Sequence, residues 1–400
     1  MKIKITPSSA RGKVWAPPSK SVAHRLLISA LLADGESVIA PLSFSEDIMA
    51  TIDAVNALGG QVRRENETVI VRGGIDNGRG DATINCRESG STLRFMIPIC
   101  LLTGRKITLC GTEKLFSRPL SVYEDICAAN GFLFEKGKDS VTVCGNLKAG
   151  KYSIRGDISS QFITGLMFAL PLVEGDSEII VSGKKESVSY IDITIDALKT
   201  FGVEIKTCDD RYLISGGQKY SPCRATVEAD ESNAAFLDAF GLFGNVEVLG
   251  RSPTTKQGDR VYKELFGKLK AGTPTIDVSN CPDLAPVLIA LAAVFNGATF
   301  ENTSRLALKE SDRGNAMAEE MAKFGAKIQV NENSIVVCKT ELRAPSSELS
   351  SHNDHRIAMA LAVAASIFGG TIDGAEAVRK SYPDFFETII KLGINAYEIK

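Results

Sequence analysis

The chain has 400 residues, of which 44% are hydrophobic and 24% charged, a size that exceeds the usual single core and predicts two domains. A formal net charge of −2 gives no global basic field, so neither nucleic acid nor a membrane surface is an expected partner. Nine cysteines at irregular positions without a CxxC pair predict small buried thiols in a reducing, cytoplasmic compartment rather than disulfides or a metal site.

The chain opens on the alternation Lys2, Ile3, Lys4, Ile5, which predicts a strand. The whole stretch Met1 to Trp15 reads as strand and, preceding the first helix, is a candidate to join the C-terminal half. No signal peptide follows it. The longest apolar runs, Leu284 to Phe295 and Ile357 to Phe368, are shorter than the ~20 residues of a membrane helix.

Beyond this strand a repeat organises the chain. Helix-like apolar segments end at Gly35, Gly104, Gly175, Gly244, Gly297 and Gly369, at intervals of 69, 71, 69, 53 and 72 residues, each followed by a β-rich run. A second series, Gly59, Gly131, Gly202, Gly325 and Gly393, closes another helix in every unit except the shortened fourth. Glycine suits a helix end because the next residue often takes a left-handed conformation. Between the stops of the first unit, Met49, Ile52, Val55 and Leu58 recur at helical spacing, and Thr68 to Val71 reads as a strand. One unit is therefore helix, strand, helix, strand, strand. Six units imply two domains of three, with crossings near Pro17 and Pro18 and between Ala225 and Asp230, where Asp230, Glu231 and Ser232 open a new helix.

The first helices of the units begin with polar, often cationic clusters: SKSVAHR at 19–25, ESGSTLR at 88–94, SSQ at 159–161 and NDHR at 353–356. Ser and Asp cap free N–H groups there, and the helix dipole favours an anion. Arg or Lys within the first turn opposes that dipole, which makes sense where a phosphate or carboxylate binds; the plainer alternative is a capped helix with a solvated arginine. Neither GxGxxG nor GxxxxGK[ST] occurs, which argues against a Rossmann site or a P-loop, and no HExxH suggests a metal. His24, His352 and His355 lie near cationic helix starts where a proton role is conceivable, although His24 equally fits a satisfied core histidine. Asp283 precedes the apolar helix LAPVLIALAAVF, where its plainer role is an N-cap. Glu310 lies between Lys309 and Arg313, where the plainer role is a helical ion pair. Together, the two carboxylates form a candidate acid–base pair.

These segments, with SRPL at 117–120, SSQF at 159–162, SVSYIDIT at 187–194, PDLA at 282–285, KESDR at 309–313 and KSYPDFF at 380–386, resemble the family of 3-phosphoshikimate 1-carboxyvinyltransferases, the EPSP synthases, in order and over nearly the whole chain. The resemblance implies an α/β fold of two similar domains, each of three βαβαββ units. In this fold the active site lies in the interdomain cleft, helix N-termini point into it and substrates close it. Residues 17–227 would form the shikimate 3-phosphate side, and residues 1–16 with 228–400 the phosphoenolpyruvate side.

By the same resemblance, shikimate 3-phosphate is held by Lys20, Ser21, Arg25, Ser159, Ser160, Gln161, Ser187, Tyr190, Asp283 and Lys309. Phosphoenolpyruvate is held by Lys20, Gly90, Arg118, Gln161, Arg313, Arg356 and Lys380. The implied reaction transfers the enolpyruvyl group of phosphoenolpyruvate to the 5-hydroxyl of shikimate 3-phosphate through a tetrahedral intermediate and releases phosphate, in aromatic amino acid biosynthesis. Asp283, Glu310 and Lys20 are the catalytic residues. No metal or organic cofactor and no protein partner are expected, and the enzyme is expected as a monomer. The seven cations of the list less the two carboxylates leave five positive charges, close to the roughly five or six negative charges of the substrates.

The chain departs from the family pattern at Pro18, Glu88, Phe95 and Arg305. Two other readings stand beside this one. The sister transferase acting on UDP-N-acetylglucosamine expects a reactive Cys in a loop before an Arg-Pro pair, where this chain has GTEKLFS and its nearest Cys is Cys110. A non-catalytic polyanion-binding repeat module would not need Asp283 and Glu310.

Overall fold

The computed structural model describes residues 1–76, 78, 80–156, 158–183, 185 and 187–399. The chain divides into two compact units, one of Pro18–Glu228 and one of Met1–Pro17 with Ala229–Lys400, and each has its own apolar core. Among the described residues, no helix is long and apolar enough to cross a membrane.

In the Pro18–Glu228 unit the module repeats three times. Each contributes a four-stranded sheet in which two strands run parallel, joined in the second and third modules through the helix that opens the module, and an antiparallel hairpin completes the sheet. In the second module, Ala82–Asn85 lies parallel to Ile107–Cys110, which pairs antiparallel with Ser140–Cys144, and that strand carries Leu133–Lys136 on its other edge. The third module repeats this order with Lys151–Arg155, Ser177–Ser182, Arg211–Ile214 and Lys206–Cys208. The first module takes its leading strand from the far end of the unit, since Arg224–Thr226 lies parallel to Glu36–Ala40. Alternation sets the buried face of each sheet, as where Val69 and Val71, or Val141 and Val143, point inward.

In the other unit the N-terminal stretch is two strands, not one. Pro7, which has no N–H to give a ladder, lies in the break. Lys2–Ile5 lies antiparallel between Gly370–Asp373 and Ala396–Ile399, completing the sheet of the last module. Arg11–Trp15 lies parallel to Asn245–Leu249 in a two-stranded sheet. The shortened fourth module keeps the helices Glu231–Gly241 and Tyr262–Ala271, and its sheet is reduced to these two strands. The fifth module has the full four strands, Thr275–Asp277, Ala298–Glu301, Ser334–Cys338 and Lys327–Val330.

The glycines of both series take positive φ, for example 66° at Gly104, 68° at Gly131 and 95° at Gly325. Gly244 is the exception: it is not left-handed, and glycine is needed there because a Cβ would overlap the Ala10 carbonyl oxygen.

The six module-opening helices are Lys20–Leu32, Gly90–Cys100, Ser160–Ala169, Glu231–Gly241, Ala285–Val294 and His355–Phe368. Unlike surface helices, they lack a broad polar face: every residue from Ala285 to Ala293, and from Ala23 to Leu32, is buried. They are packed against one another, Gly90–Cys100 on Ser160–Ala169 and Ala285–Val294 on His355–Phe368. The approach of the first pair requires Gly165, whose Cβ would stand 2.7 Å from the Arg94 carbonyl oxygen. Buried along their length, these helices leave only their first turns for polar chemistry.

Candidate active site

Within the Pro18–Glu228 unit, three helix starts gather the predicted groups. Lys20, in the first turn of its helix, pairs with Asp47, Nζ to Oδ2 at 2.8 Å. Arg25 is buried and anchors two predicted neighbours. It donates from Nη1 to the Ser21 carbonyl at 2.6 Å, from Nη2 to the Tyr190 carbonyl at 3.0 Å and from Nε to Thr194 Oγ1 at 2.8 Å, with its guanidinium 5.1 Å from the Phe95 ring centroid. Burial lowers the Arg25 pKa to about 10. Ser187, before the helix Val188–Thr200 that carries Tyr190, is left-handed with φ 56°. A strained non-glycine residue at a helix start is the kind of feature that ligand sites retain.

Ser159 caps its helix by accepting from the Gln161 N–H at 3.3 Å, and Ser160 is the buried first residue. The Gln161 amide is oriented at both ends: Arg94 donates to its Oε1 at 2.6 Å, and its Nε2 donates to Ser91 at 3.0 Å. Arg94 also donates to the Pro119 carbonyl at 3.1 Å, fixing the segment that carries Arg118. Gly90 opens the neighbouring helix, and a Cβ there would lie 3.0 Å from Arg118 Nη1 and 3.9 Å from Gln161 Oε1. Arg118 Nε is buried without a hydrogen-bond partner among the described residues. Gly90, Arg118 and Gln161 thus form one cluster, held by Arg94 and Ser91, two residues to which the sequence reading gave no ligand role.

His24 is a core residue and not a proton donor to substrate. Thr92 Oγ1 donates to Ser89 Oγ at 2.8 Å. Having one hydrogen, Thr92 accepts from Thr51 at 2.7 Å, and Thr51 in turn accepts from His24 Nδ1 at 2.7 Å. The ring is therefore the Nδ1–H tautomer, with Nε2 a buried lone pair lacking a partner among the described residues. Burial, reinforced by Lys20 and Arg25, holds its pKa well below 6.5.

The Ala229–Lys400 part holds the second constellation. Asp283 is not the N-cap of the apolar helix, which begins at Ala285 after Leu284 with no side-chain cap. Its Oδ1 instead pairs with Arg313 Nη1 at 2.8 Å and Lys309 Nζ at 3.2 Å, and its Oδ2 lies 3.6 Å from Arg356 Nη2. Burial pushes the Asp283 pKa up, but Lys309, Arg313 and Arg356 outweigh it and hold the carboxylate well below its ordinary range. The same environment lowers Lys309 to about 8, mainly by desolvation, with Arg313 and Arg305 adding to it and Asp283 opposing. Arg313 loses by burial and gains more from Asp354, Asp283 and Glu310, so its charge is fixed.

Glu310 is not a helical ion-pair partner of its neighbours, because the helix starts only at Arg313. Its Oε2 lies 2.9 Å from His355 Nδ1. Asp354, fully buried, caps the last module's helix by accepting from the Arg356 N–H at 2.9 Å while holding Arg313 Nε at 2.9 Å and Ser311 at 3.0 Å. Arg356 also donates to Asn233 Oδ1 at 3.3 Å, and Lys380 donates to the Asn353 carbonyl at 2.6 Å. The structure brings Asp283, Lys309, Arg313 and Arg356 into direct contact.

The charge count from sequence needs correction. It left out two carboxylates that neutralise cations it included: Asp47 pairs with Lys20 in one unit, and Asp354 pairs with Arg313 in the other. Nothing in sequence marked Asp47, one of two acids in the first turn of the helix Glu46–Ala57; Asp354 stood in NDHR but read as a cap. Among the described residues, two groups approach metal-ligand spacing, Glu310–Asp354–His355 and Glu319–Glu320–His352. In each a buried carboxylate already holds a cation, Arg313 or Lys323, so both read as charge and proton networks.

The fold is that of the enolpyruvyl transferases: a solved EPSP synthase from Acinetobacter baumannii superposes with a TM-score of 0.80, covering 99% of this chain and 100% of that one at 22% identity. The chain belongs to the EPSP synthase (3-phosphoshikimate 1-carboxyvinyltransferase) family, whose sequence profile matches residues 5–389. It is 41% identical to the 3-phosphoshikimate 1-carboxyvinyltransferase of Clostridium kluyveri, with 98% of this chain and 97% of that protein covered. It is 40% identical to that of Clostridium novyi, over 98% and 97%.

Proposed function

We propose that the protein transfers the enolpyruvyl group of phosphoenolpyruvate to the 5-hydroxyl of shikimate 3-phosphate, releasing inorganic phosphate, in aromatic amino acid biosynthesis. Family membership supports the reaction, and the observation that carries the residue assignment is Asp283 bound to three cations, Lys309, Arg313 and Arg356. A carboxylate so placed competes with an anionic substrate for those cations, and it is freed to act as a base when that substrate replaces it.

The shikimate 3-phosphate ligands are Lys20, Ser21, Arg25, Ser159, Ser160, Gln161, Ser187, Tyr190, Asp283 and Lys309. Arg25 acts from behind, by holding the Ser21 and Tyr190 backbone. Phosphoenolpyruvate is bound by Lys20, Gly90, Arg118, Gln161, Arg313, Arg356 and Lys380. The 5-hydroxyl oxygen bonds to C2 as Asp283 takes its proton, while Glu310, kept in place by His355, delivers a proton to C3. The intermediate then loses a proton from C3 back to Glu310 as the bond from C2 to the phosphate oxygen breaks. Lys20 and the arginines stabilise the departing phosphate, which leaves with the proton that Asp283 took from the hydroxyl, so both carboxyl groups return to their starting states. The balance closes without a cofactor. The free cysteines support a cytoplasmic enzyme, which we take to be a monomer.

The test supplies both substrates to purified protein and follows phosphate, with UDP-N-acetylglucosamine replacing shikimate 3-phosphate in a parallel arm. Wild type should release phosphate only with shikimate 3-phosphate, and Asp283→Ala and Lys20→Ala should not. Release only in the sugar-nucleotide arm, or none in either at any pH, refutes the assignment.

A further inference from the structure

Immediately before Asp354, two consecutive non-glycine residues, His352 (φ 51°) and Asn353 (φ 53°), adopt left-handed backbone. L side chains take that conformation reluctantly, and it persists where the surroundings over-determine it. The over-determining group is Glu320, a wholly buried carboxylate on the helix Arg313–Lys323. It accepts from the Ser350 N–H at 2.8 Å, pairs with His352 Nε2 at 2.9 Å, and takes Lys323 Nζ on both oxygens at 2.9 and 2.8 Å. Ser350 and Ser351 tighten the turn by accepting from the His352 and Asn353 N–H groups at 3.1 and 3.2 Å.

The turn has a purpose. Its left-handed course presents the Asn353 carbonyl to Lys380 Nζ at 2.6 Å, and the next three residues are Asp354, His355 and Arg356. Resting on the enolpyruvyl-transfer reading above, we propose that Glu320 and His352 form a positioning clasp that sets Lys380 and Arg356 for phosphoenolpyruvate, and that the clasp weakens as His352 loses its proton.

The titratable and charged groups facing His352 are Glu320, Glu319 at 4.0 Å, and Lys323. The hydrogen bond to Glu320 raises the imidazole pKa above 6.5 against desolvation, Glu319 adds to the shift and Lys323 opposes it. A raised folded-state pKa means that the clasp is complete at low pH and weakens as pH rises through that pKa. The hydrogen bond can survive in neutral imidazole, so weakening rather than release is the consequence.

The experiment measures both KM values by phosphate release across pH for wild type, His352→Leu and His352→Gln, whose amide reaches the place of Nε2 without titrating. His352→Leu should raise KM for phosphoenolpyruvate about tenfold, the worth of a hydrogen bond to a charged group, and leave KM for shikimate 3-phosphate and kcat within about twofold. His352→Gln should restore most of that loss and lack the alkaline rise in KM for phosphoenolpyruvate shown by wild type. An unchanged KM in His352→Leu, or the same alkaline rise in His352→Gln, overturns the proposal. NMR titration of His352 tests the clasp without turnover: its pKa should exceed 6.5 and fall in Glu320→Gln, and an imidazole titrating at or below the ordinary value overturns it. A wild type that releases no phosphate refutes the reaction, an outcome distinct from either of these.

Discussion

Asp283 Oδ1 lies 2.8 Å from Arg313 Nη1, and Arg313 Nε lies 2.9 Å from the buried carboxylate of Asp354. One guanidinium therefore bridges a candidate base and the cap of the last module's helix. The two carboxylates are not equivalent. Asp354 also holds a backbone N–H and the Ser311 hydroxyl, which fix it in the turn, whereas Asp283 forms ion pairs with three cations, Lys309, Arg313 and Arg356. An arriving anion can displace Asp283 from these cations. Its displacement removes the interactions that depress its pKa and raises its basicity where the hydroxyl proton must go.

This arrangement predicts a separation of binding from turnover in Asp283→Asn. The amide keeps the shape and gives up the charge that competes with phosphoenolpyruvate for Arg313 and Arg356. Turnover should fall by about 10²–10⁴-fold, the usual scale for a lost acid or base, while calorimetry should find phosphoenolpyruvate bound as tightly as by wild type or more so. Weaker binding alongside the lost turnover would mean that Asp283 organises the cations and does not act as a base.

Lys309 supplies a pH-dependent prediction. With its pKa lowered to about 8, it loses its charge in a range where an ordinary lysine keeps it. KM for shikimate 3-phosphate should therefore rise as pH passes about 8, and steady-state assays between pH 7 and 10 would show it. Stability follows the opposite course: from about 8 to the ordinary lysine value the unfolded chain binds the proton more strongly, so this group favours the folded state increasingly with pH. Lys309→Arg, which remains charged, should keep KM flat over that range. A wild-type KM without an inflection below pH 9.5 would remove Lys309 from the ligands.

The period of the fold was legible because glycine marks it: a left-handed helix end tolerates few other residues, so Gly59, Gly131, Gly202, Gly325 and Gly393 recur at one place in the module. The helix starts were legible because these helices are otherwise buried. What could not be read is what depends on distant partners. Arg224–Thr226 pairs with a strand near residue 38, and Lys2–Ile5 with one near residue 372, registers that no local pattern encodes. Asp47 and Asp354 looked like ordinary first-turn or cap residues, and only the fold brings Lys20 and Arg313 to them. Glu320 is one of two adjacent acids on the helix Arg313–Lys323, and only the fold shows that it is the wholly buried one.

The His24 relay makes a prediction independent of catalysis. Nitrogen-15 NMR should find His24 as the Nδ1–H tautomer, with no titration between pH 5 and 8, because protonation would place a second proton on a buried nitrogen beside Lys20 and Arg25. His24→Asn can reproduce the donor to Thr51, while His24→Leu leaves the chain of hydroxyls ending at Ser89 without its first donor. We expect the leucine variant to lose about 1–3 kcal/mol of stability, the cost of an unsatisfied buried hydroxyl, and the asparagine variant to lose less. Thermal denaturation of the pair would decide it, and equal losses would mean that His24 contributes only volume.

Gly90 gives the sharpest steric prediction. In Gly90→Ala the added Cβ would stand 3.0 Å from Arg118 Nη1, tighter than an ordinary contact but against the mobile end of a long side chain. Arg118 can yield by a few tenths of an ångström, so folding should be spared: the position is helical and its φ is not in the left-handed region. The shift displaces a guanidinium assigned to phosphoenolpyruvate, whose hydrogen bonds weaken with small changes of distance and angle. KM for phosphoenolpyruvate should therefore rise about tenfold or more, with KM for shikimate 3-phosphate and the melting temperature nearly unchanged. Arg118→Lys in the same background provides the check. If Arg118 is the group displaced, its replacement should already have lost most of the affinity, and the methyl should add little; fully additive losses would place the effect of Gly90 elsewhere, in the approach of ligand to the helix backbone.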